Sequence, residues 1–64
     1  MLKDRIANLC KEHGISITRL EHECGLAHAT ILKWEHSSPT LANAQKVADY
    51  FGISLWELVG HYDG

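Results

Sequence analysis

The side chains in this sequence that could carry covalent or metal chemistry are two cysteines and five histidines, with serines and threonines among them. No serine stands to a histidine in a spacing that implies a nucleophile and its base. His22 and Cys24 lie two residues apart, on different faces of any helix, which is poor geometry for one metal. Neither a metal nor a cofactor is expected, and an enzyme is not. Cys10 and Cys24 both fall on apolar stripes and read as small hydrophobes. Two thiols in such a chain are not a disulfide framework. What is left is hydrogen bonding and charge. Ser16, Thr18, Arg19, His28, Thr30, Lys33 and His36 can all donate, and they cluster in one stretch of the chain.

The elements that must hold these donors are helices. Leu2, Ile6, Leu9, Cys10 and His13 recur at helical spacing and predict a first helix over about 2–13. Ser16 is a good N-cap for a second, 17–24, with Ile17, Leu20 and Cys24 on one face. A third is expected over 28–36, with Ile31 and Trp34 inward and Ala27, a poor cap, before it. Thr40 caps a fourth, 41–51, aligning Leu41, Ala44, Val47, Ala48 and Phe51. Ser54 and Glu57 form a capping box that opens a fifth, 55–59, burying Leu58 with Leu55 beside it. Gly14, Gly25, Gly52 and Gly60 each follow one of these stretches, where glycine suits a left-handed helix end. No alternating pattern competes, so the fold class is all-α, a compact five-helix bundle. Sixty-four residues are room for one domain, 1–64. Such a chain buries only about 60% of its unfolded surface, leaving little for a deep substrate pocket. No small-molecule substrate is expected.

Two of these helices, joined by Gly25-Leu26-Ala27, make a tight glycine-containing turn between short coils. Leu20, Cys24, Leu26, Ile31 and Trp34 would wedge them at a fixed angle, with the start of the second coil projecting. Gly14-Ile15-Ser16, Leu20, Cys24-Gly25-Leu26, Thr30-Ile31 and Trp34-Glu35 stand in the order and spacing of a known pattern. Val47-Ala48-Asp49-Tyr50-Phe51-Gly52-Ile53-Ser54 extends it. On these residues the chain resembles the XRE family of helix-turn-helix domains, the phage repressor and Cro type, over about residues 2–60. It departs from the family at three places. Ile17 stands where a phosphate-binding glutamine is common. Cys10 replaces an arginine that pairs with the glutamate at Glu35. Ala27 replaces a Ser or Thr cap.

The resemblance implies a lambda-repressor-like domain that binds double-stranded DNA as a transcriptional regulator, of the prophage or mobile-element repressor type. It implies that bases are read from the projecting helix, in the major groove. His28, Ala29, Thr30 and Lys33 are then the expected readers. Lys33 donates to guanine or to phosphate, His28 donates to a base or to the backbone, and Ala29 and the Thr30 methyl meet thymine methyls. Ser16, Ile17 (through its backbone N–H), Thr18, Arg19 and His36 are the expected phosphate contacts. Trp56 lies off the inward stripe of the last helix. With Leu55 and Val59 it is the expected two-fold contact of a homodimer.

The net charge is −2, from six Lys and Arg against eight Asp and Glu. A DNA binder more often carries a basic patch. The competing expectation is therefore a protein-interaction or dimerisation module on the same fold. No apolar run reaches the length of a membrane span, and the first residues lack the apolar core of a signal peptide. A cytoplasmic protein of bacterial or phage origin, with no membrane partner, is expected.

Overall fold

The structure, a computed structural model, describes residues 2–59. Five helices follow in order: α1 Leu2–His13, α2 Ile17–Cys24, α3 Thr30–Lys33, α4 Leu41–Phe51 and α5 Leu55–Val59. No strand occurs among the described residues, and the all-α fold read from the sequence is the fold observed. Gly60, expected to end the fifth helix, lies outside the described residues.

Each helix contributes a large, fully enclosed aliphatic side chain to a shared core: Ile6, Leu20, Ile31, Val47 and Leu58. Leu9, Cys10, Trp34, Ala48 and Phe51 fill in around them. Burying such a side chain is worth about 1.5–3 kcal/mol, so the contact itself selects the helical arrangement. Helices of four and five residues could not persist alone in water.

One device ends three of the helices. After α2, the Leu26 N–H reaches the Glu21 carbonyl at 2.8 Å and the Gly25 N–H reaches that of His22 at 3.2 Å. This is the paired bond of a Schellman motif, and it needs Gly25 in the left-handed region, at φ 73°. Nothing lies within 4 Å of where a Cβ would sit, so backbone conformation alone demands the glycine. The same two bonds recur at Gly14-Ile15 and at Gly52-Ile53. In all three the apolar residue after the glycine packs against the core. The starts are equally local. The Ser16 and Thr40 hydroxyls accept from the N–H groups of Arg19 and Asn43. Ser54 and Glu57 exchange bonds of 3.0 and 3.1 Å, as the capping box requires.

Three expectations are corrected. α3 is one turn, 30–33, rather than 28–36. Ala29 adopts a left-handed conformation, and beyond Lys33 the chain winds through i→i−3 bonds at Trp34, Glu35 and His36. Leu41 is 71% exposed, not in the core. A helical side chain leans toward its own N-terminus, and from the first turn of α4 that direction overshoots the core. His13 is exposed as well. Its ring leans on Phe51 from outside, with centroids 4.8 Å apart.

Cys10 is buried and Cys24 half-buried, and both are free thiols. Burial, and then the neighbouring Cys24, pushes the Cys10 thiol above its ordinary range. Burial, reinforced by Glu23 and opposed by Lys46, does the same for Cys24. Reactivity belongs to the thiolate, which the upward shift disfavours at both positions. No described helix is long and apolar enough to cross a membrane.

Candidate nucleic-acid interface

α2 and α3 pack together across the turn at 25–29, and the sequence-predicted donors lie on these elements or beside their ends. Ile31 is fully buried and Trp34 is 6% exposed, which fixes α3 by its inner side. His28, Leu32, Lys33 and His36 are left exposed, with Ala29 and Thr30 half-buried between them. Lys33 makes no ion pair among the described residues. The Thr30 hydroxyl proton is committed: it donates to the Ala27 carbonyl at 2.6 Å, beside the Thr30 N–H at 3.2 Å, so the oxygen is left as an acceptor and the methyl as an apolar contact. Leu32, half of whose surface is exposed, stands next to Lys33.

α3 begins without a cap of its own, since Ala29 has no side-chain acceptor. The acceptor comes from α2. The Glu21 carboxylate, 2% exposed, takes the Ala29 N–H on one oxygen at 3.0 Å and the Ile31 N–H on the other at 2.9 Å. Sequence reasoning missed this residue. The signal was present: Ile17, Leu20, Glu21 and Cys24 share one i, i+3, i+4, i+7 stripe. A carboxylate on an apolar stripe must find buried donors.

Of the expected phosphate contacts, Ser16, Ile17, Thr18 and Arg19 sit at the start of α2, while His36 lies beyond the end of α3. The Ser16 oxygen is occupied as an acceptor, though its hydroxyl proton is free to donate. The Ile17 side chain packs inward, while its N–H and that of Thr18 belong to the first turn, which has no internal acceptors. Arg19 is partly engaged. Its Nε donates to Glu23 at 2.9 Å one turn along the same helix. Glu35 lacks its family arginine but meets Lys3 of α1 at 3.9 Å, an exposed pair of small energetic weight.

In α5, Trp56 is 69% exposed. Leu55 and Val59 are half-buried and line, with Leu2, Pro39 and Leu41, a shallow groove of about 290 Å³.

Two short coils locked at a glycine turn, with the second exposing a polar outer side, define a helix-turn-helix regulator. The sequence profile of the helix-turn-helix family matches residues 6–58, and the chain belongs to that family, in its XRE branch. The family is one of DNA-binding regulatory domains. Neither a curated protein nor a solved structure matches the chain.

Proposed function

We propose that this protein binds double-stranded DNA sequence-specifically, as a homodimeric, cytoplasmic repressor of the prophage or mobile-element type. One observation carries the reading: α3 is pinned from within by Ile31 and by Trp34 just after it, while Leu32 and Lys33 on it, His28 before it and His36 after it are exposed. In the major groove, Lys33 donates to guanine O6 and N7, and His28 donates to a base or the backbone. Ala29, Leu32 and the Thr30 methyl meet thymine methyls. The first-turn N–H groups of Ile17 and Thr18 hold a phosphate, with Ser16, Thr18, Arg19 and His36 as side-chain contacts. Loss of the family glutamine at Ile17 shifts this anchor from side chain to backbone. Leu55, Trp56 and Val59 form the two-fold contact, and the exposed Leu41 extends the same apolar face.

A second reading is a protein-interaction module on the same fold. The −2 net charge and the Arg19–Glu23 pair favour it, since both reduce attraction to phosphate. Selection from a random duplex library, followed by a salt titration of the selected site, separates the two. A DNA binder recovers a defined site whose affinity falls linearly with log salt. An unenriched library discards the repressor reading and leaves the interaction module.

A further inference from the structure

We infer that Glu21 is a positioning residue for base readout, an anionic cap delivered from α2 that sets where and how the reading helix begins. The inference rests on the DNA reading above and adds a residue that never touches the DNA. α3 is a single turn with an alanine at its cap position, so nothing local fixes its start. Its first donors would be orphaned. Glu21 meets the N–H groups of Ala29 and Ile31, one with each oxygen. Ala29, between His28 and Thr30, is held at φ 67°, where an alanine does not rest by preference. The bonds hold in both directions. A carboxylate 2% exposed must keep its donors, and a helix start favours an anion. Charge-assisted bonds of this kind are also directional. The clamp thus fixes the backbone that aims His28 on one side and Lys33 on the other. The anchor at the start of α2 does not depend on it.

The test compares the wild-type chain with E21Q on two probes: a site selected from random duplex DNA, and the unselected random duplex. Glutamine keeps the shape but offers one acceptor oxygen and turns its amide NH2, a donor, toward the other N–H. The expected result is about a tenfold loss on the selected site, the loss of one charge-assisted bond, with random-duplex affinity within about twofold of wild type. Amide exchange at Ala29 and Ile31 should speed up in E21Q while the exchange of α1 and α4 holds. Equal losses on both probes, or no loss on either, overturns the inference, because a merely structural role lowers both together. If E21Q does not fold, E21D supplies the same ratio, keeping the charge but withdrawing its reach. A wild-type chain that selects no site removes the DNA reading and this inference with it. A selected site with an unchanged ratio removes this inference alone.

Discussion

Lys33 carries its charge on the outer side of α3 without an ion-pair partner among the described residues, so desolvating it against a base breaks no internal contact. If it reads guanine, Lys33→Ala lowers specific affinity by about 1–3 kcal/mol, relaxes preference at one position and leaves the fold intact. If it holds only phosphate, the loss is uniform across sequences and the salt slope flattens by about one, which a titration on two sites distinguishes. Ala29 makes a different statement. Its left-handed backbone costs an alanine about 1–2 kcal/mol, part of which glycine would recover after its own chain-entropy cost. Ala29→Gly should therefore raise stability by about 0.5–1 kcal/mol, measured by urea denaturation. An unchanged or lower midpoint would mean that the turn relaxes around alanine. The strain at Ala29 was not legible from the residues alone, and of Glu21 only its place on the apolar stripe was, not its partners. Glu21 finds its partners eight and ten positions away, and local reasoning reaches about four.

The elements were more legible where their punctuation is local. Ser16, Thr40 and the Ser54–Glu57 box cap the helices they precede, and glycine followed by an apolar residue ends α1, α2 and α4. Periodicity failed where a helix end meets the edge of the core. Leu41 keeps the inward spacing of α4 yet lies outside, and His13 does the same at the end of α1. It failed again over 28–36, where the tertiary clamp rather than helix propensity decides where regular winding starts. α5, only five residues long, leans heavily on its local cap. Ser54→Ala should cost about 1 kcal/mol of stability. Because α5 displays Trp56, the same change should also weaken self-association. A shift in the thermal midpoint with no concentration dependence would separate the two effects.

At the scale of the whole molecule, dimensions bear on the proposed dimer. The chain extends 29 × 22 × 18 Å, and two adjacent major-groove entries on one face of B-DNA lie about 34 Å apart. One copy presents one reading helix and cannot reach both. Trp56→Ser should shift sedimentation from dimer to monomer and weaken a palindromic site far more than a half-site. A wild-type chain that sediments as a monomer at high concentration would locate assembly on the DNA itself. The two tryptophans give this molecule a pair of optical reporters in opposite surroundings. Trp34, only 6% exposed, should emit at short wavelength until the chain unfolds. Trp56, bathed in water, emits at long wavelength until something covers it. A blue shift on concentrating the protein is then a signature of assembly, and a red shift on heating is a signature of unfolding, in a single unlabelled sample.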